Sequence, residues 1–142
     1  MADRKRVYIT IKPSKKQIKN ESQYVIQGEE GLLERMFANL IKNAIEASPE
    51  GKYVTIMIKP DKPGDIRYLI VDIHNFRPVP NEIRDKFFEP YVTSKKKGGT
   101  GLGTYSAMLL AEAHQGNIRL KTSKKEGTHV VVKLPRKIMN DT

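Results

Sequence analysis

Arg35, Asn39, Asn43 and Glu46 are spaced by four, four and three residues, so a helix would carry them as one polar stripe. Carboxamide oxygens are hard, neutral ligands, and a stripe of them can hold a hydrated Mg²⁺ together with phosphates. The same spacing also describes an ordinary solvated helix face. A second feature decides which reading to carry forward. From Lys97 to Ala107 the chain reads Lys-Gly-Gly-Thr-Gly-Leu-Gly-Thr-Tyr-Ser-Ala, a glycine-rich loop running into a helix. Gly98, Gly99, Gly101 and Gly103 allow close backbone approach to a ligand, and the helix end that follows offers N–H groups and a positive dipole. Phosphate is the natural guest. Lys95, Lys96 and Lys97 stand beside this loop and supply counter-charge, whereas the remaining basic clusters read as solvated faces or termini. The loop is neither G-x-x-x-x-G-K-[ST] nor a G-x-G-x-x-G following a strand, which sets aside those two phosphate folds.

The elements that must position these groups are legible from periodicity. Leu32, Leu33, Met36, Phe37, Leu40, Ile41, Ala44 and Ile45 recur at helical spacing from Glu29 to Ala47, and Ser48-Pro49-Glu50-Gly51 ends the run. Val7, Ile9 and Ile11 alternate before Pro13, and Tyr24-Val25-Ile26 reads as a second short strand ending at Gly28. Val54, Ile56 and Ile58, then Arg67 to His74, predict a hairpin closed around Pro60 to Gly64. Asn81 to Phe88 reads as a short helix, Glu89 to Thr100 as a loop and Gly101 to His114 as a third helix. Asn117–Thr122 and Thr128–Leu134 pair through Lys-Lys-Glu-Gly. The order β-β-α-β-β-α-α-β-β predicts an α+β fold, a two-layer sandwich with a mixed sheet and helices on one face.

Composition bounds the setting. The chain has 142 residues, net charge +10 and no cysteine. It reads as one domain over 1–142 with a core of about 7–135 and a basic tail 136–142. Disulfides and thiolate metal sites are excluded, and no apolar run is long enough to span a bilayer. The three histidines share no metal-ligand spacing. The charge suits polyanions in general, so a basic nucleic-acid-binding domain is one alternative. Against it, no recognition motif and no aromatics clustered on a basic strand face are evident.

Asn39-Leu-Ile-Lys-Asn43-Ala-Ile-Glu-Ala-Ser resembles the N box of the GHKL superfamily, named for gyrase, the Hsp90 chaperones, histidine kinases and MutL. Phe87-Phe-Glu-Pro-Tyr-Val-Thr-Ser-Lys95 resembles the F box of sensor histidine kinases, and Gly99-Thr-Gly-Leu-Gly103 their G2 box. His114-Gln-Gly-Asn-Ile, Gly127-Thr-His-Val and Leu134-Pro135 resemble the closing strands, so the likeness runs from about Val7 to Pro135 in family order. It implies the GHKL (Bergerat) sandwich with three helices on one face and a lid loop over roughly Glu89 to Thr100, whose glycines and lysines bury little and so predict mobility until nucleotide arrives. It further implies an ATP-binding catalytic domain of a two-component sensor histidine kinase, cytoplasmic, working on Mg-ATP.

Carried over by residue, the resemblance makes Asn43 the Mg²⁺ ligand and, with Asn39, part of the catalytic centre. It assigns Lys95, Lys97, Gly99, Thr100, Gly101, Leu102 and Gly103 to the phosphates. Position 39 is glutamate in gyrase-like and MutL-like hydrolases, and a carboxamide is a poor general base, which favours phosphoryl transfer to a protein nucleophile over hydrolysis. The adenine-reading D-x-G-x-G is replaced by Asp72-Ile-His-Asn75-Phe-Arg-Pro-Val-Pro80. Strand parity puts Asn75 in the aspartate's place, with Asp72 as competitor, and Thr128 matches the late Gly-Thr near the base. Neither His74, His114 nor His129 sits as a phosphoacceptor does. The implied partners are therefore a histidine-bearing dimerisation domain of the same kinase and a response regulator, with no nucleic acid. Any membrane attachment lies in other parts of the parent protein. A degenerate domain that docks a partner with little or no nucleotide binding is the other alternative that the changed adenine motif raises.

Overall fold

A computed structural model describes residues 6–92 and 101–137. In chain order the elements are β1 (Tyr8–Lys12), a 3₁₀ turn (Glu21–Tyr24), α1 (Glu30–Ala47), β2 (Tyr53–Pro60), β3 (Tyr68–Asn75), a second 3₁₀ segment (Asn81–Lys86), α2 (Gly103–Ala113), β4 (Asn117–Ser123) and β5 (Gly127–Pro135). The five strands form one sheet in the order β1-β2-β3-β5-β4. Only β1 and β2 run parallel; the other pairs are antiparallel.

Alternation along the strands builds the second layer. Val71 and Ile73 of β3 stand in register with Val132 and Val130 of β5, and all four join Val54, Ile56 and Leu134 in the buried core. Met36, Leu40 and Ala44 of α1 and Ala107 and Ala111 of α2 pack onto them, so both α-helices cover the same face. The spacing of four in each helix is what aims these small and flexible side chains at the sheet. Residues of the intervening parity, Asp72 and His74 on β3 and His129 and Lys133 on β5, point to the other face.

Glu29 starts α1. Its carboxylate accepts from the N–H groups of Gly31 (3.3 Å) and Leu32 (2.7 Å), satisfying donors that the helix cannot pair internally. At the other end the amide of Ser48 donates to Ala44 O (2.9 Å) before Pro49 stops the helix.

Two sequence expectations are corrected. Tyr24-Val25-Ile26 is not a strand: it makes a single bridge, Ile26 to Arg136, framed by Gln27 N–H to Pro135 O (3.0 Å) and Lys137 N–H to Val25 O (2.8 Å). The chain leaves the sheet at Gly28, so the ladder has no room to extend. The expected helix from Asn81 to Phe88 is a 3₁₀ segment with bonds such as Ile83 N–H to Pro80 O (3.1 Å). Six residues behind two prolines are too few to nucleate an α-helix. Among the described residues the layer therefore holds two α-helices, and the expected third is a 3₁₀ segment.

Candidate functional site

The stripe on α1 and the start of α2 meet. Asn39 and Asn43 are half-buried on α1, whereas Arg35 and Glu46 are exposed, and Glu46 lies 4.0 Å from Lys42. A Cβ placed on Gly103 would stand 3.9 Å from Asn39 Cβ, so α2 begins against the carboxamide stripe. Leu102, the residue before α2, gives that helix no side-chain cap. Thr104 fixes the first turn from the side, its hydroxyl donating to Phe87 O (2.7 Å).

The stem of the expected lid is closed by one backbone bond, Tyr91 N–H to Gly101 O (2.9 Å). Gly101 has φ +71°, and a Cβ there would lie 2.6 Å from the Tyr91 carbonyl carbon and 2.7 Å from Val92 N. Only glycine satisfies both the dihedral and the contact. Tyr91 itself has φ 67° and is 77% exposed, so the stem holds a tyrosine in the left-handed region without burying it. Lys95, Lys97, Gly99 and Thr100, with the rest of the expected lid from Thr93, lie outside the described residues.

Asn75 and Thr128 are register partners at the ends of β3 and β5 and are 4% and 3% exposed. Their polar atoms converge on one residue. Asn75 Oδ1 accepts from Arg77 N–H (2.8 Å), and Thr128 Oγ1 donates to Arg77 O (2.7 Å). Because a carbonyl only accepts, the Thr128 proton is committed there. The Thr122 hydroxyl must then donate to Thr128 Oγ1 (3.0 Å), and it accepts in turn from Val79 N–H (2.9 Å). The chain Val79 N–H to Thr122 to Thr128 to Arg77 O straps residues 77–79 across the end of the sheet. Arg77 Nε also donates to Ala47 O (2.6 Å), placing a cation at the C-terminus of α1, whose own last turn has no basic residue. Gly127, with φ +84°, opens the space for this turn: a Cβ there would lie 2.6 Å from Phe76 Cα.

Asp72 faces the other way, its carboxylate 2.9 and 3.2 Å from His129 Nδ1. His74 shares that face, stacked 4.3 Å from the His129 ring and edge-on to Phe76 at 4.7 Å. Position 75, not 72, thus lies on the helical side. The missing glycines of the adenine motif predict Phe76 and Arg77 against the base pocket, but sequence reasoning missed Arg77's bond to Ala47 O and missed Thr122 altogether. The signal for Thr122 was present in the hairpin, whose register sets it opposite Thr128; nothing local marked Arg77 as a cap for a helix ending thirty residues earlier.

Among the described residues no three His, Cys, Asp or Glu side chains are grouped to hold a metal. The donor set at the stripe is neutral carboxamide, which suits Mg²⁺ only when phosphates complete its shell.

Over residues 28–138 the chain matches the family model described as Histidine kinase-, DNA gyrase B-, and HSP90-like ATPase. Sporulation kinase A of Bacillus subtilis (strain 168) is 34% identical over 112 residues, which make 79% of this chain and 18% of that protein. Sensor histidine kinase WalK of the same organism is 28% identical over 117 residues, 79% of this chain and 19% of WalK. Among solved structures, the mycobacterial sensor histidine kinase MprB has TM-score 0.71 at 21% identity, covering 94% of this chain and 84% of that one. Full-length ShkA in complex with AMPPNP has TM-score 0.67 at 18% identity, covering 94% and 26%. The chain spans less than a third of the length of the curated relatives it matches. The family match runs through the α1 stripe, the Asn75 and Thr128 pair and the closing hairpin, and by it the chain belongs to the histidine kinase-, DNA gyrase B- and HSP90-like ATPases.

Proposed function

We propose that the chain is the ATP-binding catalytic domain of a sensor histidine kinase, holding Mg-ATP and presenting its γ-phosphoryl group to a histidine on a separate dimerisation domain. The observation that carries this reading is Asn39 set against Gly103, which joins the carboxamide stripe to the start of α2. Asn43, one turn further along the stripe, is the residue to ligate Mg²⁺ with its amide oxygen. When bound, that ion neutralises charge across the phosphates. Gly101, Leu102 and Gly103 supply backbone contacts to the phosphates, and the resemblance assigns Lys95, Lys97, Gly99 and Thr100 to the same phosphates. Asn39 orients and does not abstract protons, since a carboxamide is not a base; the domain's work is positioning and electrostatics. Asn75 Oδ1 retains a second lone pair beyond the one given to Arg77, enough to accept from the adenine amino group beside Thr128. A response regulator is the onward partner.

A second reading, a docking module with weak or no nucleotide binding, is favoured by the Arg77 backbone already occupying Asn75 and Thr128. Calorimetric titration with a non-hydrolysable ATP analogue, with and without Mg²⁺, separates the two. Magnesium-dependent binding that Asn43→Ala reduces by at least about tenfold, roughly 1.4 kcal/mol, supports the kinase domain. A folded protein that takes up no nucleotide at millimolar concentration hands the case to docking.

A further inference from the structure

His114 ends α2 and engages both of its ring nitrogens, one within α2 and the other toward the start of α1. Its Nδ1 is 2.7 Å from Leu110 O in its own helix, and its Nε2 is 3.2 Å from the amide of Glu29, the residue that caps α1. A carbonyl accepts, so Nδ1 carries the proton; an amide donates, so Nε2 is the acceptor. The imidazole is therefore neutral, in the Nδ1–H tautomer, and bridges the last turn of α2 to the first turn of α1. The fit is close as well as polar. A Cβ on Gly28 would lie 2.5 Å from His114 Cδ2 and 2.7 Å from Leu33 Cδ1, so only glycine lets the chain pass between ring and helix.

The bridge stands at the opposite end of the helix pair from the nucleotide site. α1 begins where α2 ends, and the middle of α1, at Asn39, meets the beginning of α2, at Gly103. The helix pair thus has two anchored ends: an imidazole at one and, at the other, the groups assigned to phosphate. We propose that His114 is a positioning residue for nucleotide binding, its Nε2 acceptor holding α1 and α2 at the spacing that sets Asn39 against Gly103. It touches neither nucleotide nor metal. Its effect is on the fraction of molecules whose helices are correctly set, and apparent affinity falls in proportion to that fraction. The inference rests on the nucleotide site proposed above.

Two substitutions divide the ring's functions. In His114→Asn the amide nitrogen takes the place of Nδ1, keeping the bond to Leu110 O and losing the reach to Glu29. In His114→Gln the longer side chain sets an amide oxygen near the Nε2 position, where it accepts from the Glu29 amide. Both lose the ring's packing against Gly28; the Asn variant retains the bond within α2 and the Gln variant the bond to Glu29, so only the Gln variant keeps the link between helices. With a non-hydrolysable ATP analogue and Mg²⁺, the Gln variant is expected within about threefold of the parent dissociation constant and the Asn variant about tenfold weaker, at similar melting temperatures. Long-range ¹H–¹⁵N NMR of the parent is expected to show the Nδ1–H tautomer. Equal affinities for the two variants, or an Nε2–H tautomer, overturn the proposal. Absence of nucleotide binding by the parent chain overturns the kinase reading instead, and the tautomer together with cross-helix nuclear Overhauser contacts in the two variants then decides whether the bridge sets the spacing.

Discussion

The directed hydrogen-bond chain through Thr122 and Thr128 makes a quantitative forecast. Replacing Thr128 by Val keeps the shape, removes the only donor described for Arg77 O and strands the Thr122 hydroxyl. Losing two hydrogen bonds, to Arg77 O and to Thr122, costs about 2 kcal/mol at about 1 kcal/mol each. Thr122→Val deprives the amide of Val79, a residue 8% exposed, of its acceptor, and costs about 1.5 kcal/mol. Each single substitution also removes the bond between the two hydroxyls, so the double variant counts that bond once. The double variant is then expected to lose about 2.5 kcal/mol, leaving a coupling of about 1 kcal/mol, well above the roughly 0.4 kcal/mol within which unconnected sites add. Urea denaturation reads this directly: at a slope of about 2 kcal/mol per molar, Thr128→Val moves the midpoint down by about 1 M. Thr128→Ser, which keeps the hydroxyl and loses only a methyl, serves as the control. Strict additivity of the two Val substitutions would refute the argument, because it would mean that the hydroxyls do not share a proton.

Gly101→Ala is expected to weaken binding of the ATP analogue by about tenfold while lowering the melting temperature little, since about 1–2 kcal/mol of left-handed strain and the clash with Tyr91 fall on a loop stem; calorimetry beside a thermal scan checks it, and unchanged affinity would count against the stem. Asp65 is held below its usual carboxylate range, first by the Arg67 amide at 2.7 Å and, against the burial that pushes it up, by the charges of Arg67 and Lys133 and the amide of Tyr68. Its stabilisation is present above the unfolded value of 3.8 and is lost as pH falls through the lower folded value. Asp65→Asn is therefore less stable than the parent at neutral pH, and urea midpoints taken at successively lower pH should show the gap closing below about pH 3.8 and not above it.

Much of this molecule is written in its periodicities. The recurrence from Leu32 to Ile45 predicted the amphipathic helix α1, Val54, Ile56 and Ile58 predicted β2, and Asn117–Thr122 with Thr128–Leu134 predicted the closing hairpin. Strand parity groups Asn75 with Leu69, Val71 and Ile73 and apart from Asp72, and the structure keeps that alternation because β3 runs to Asn75 in register with β5 throughout. What failed was local patterning without length. Tyr24-Val25-Ile26 has strand residues but a partner, Arg136, that allows a single bridge. The groups that no pattern showed are those whose partners are distant in sequence and whose geometry is irregular. Arg77 reaches Ala47, and His114 reaches Glu29, through side chains whose direction depends on the whole sheet being formed. Chemistry carried on one helix was readable; chemistry made by juxtaposing two elements was readable only as a resemblance.

The single parallel pair in the sheet has a consequence in time. β2 with β3, and β4 with β5, are joined by short turns, so each closes a small loop and can form early. β1 has no such neighbour. Its partner β2 comes after α1, and the parallel alignment of Tyr8 with Tyr53 requires the helix to have crossed over first. β1 is thus an edge strand whose place depends on α1 and β2, elements that lie further along the chain.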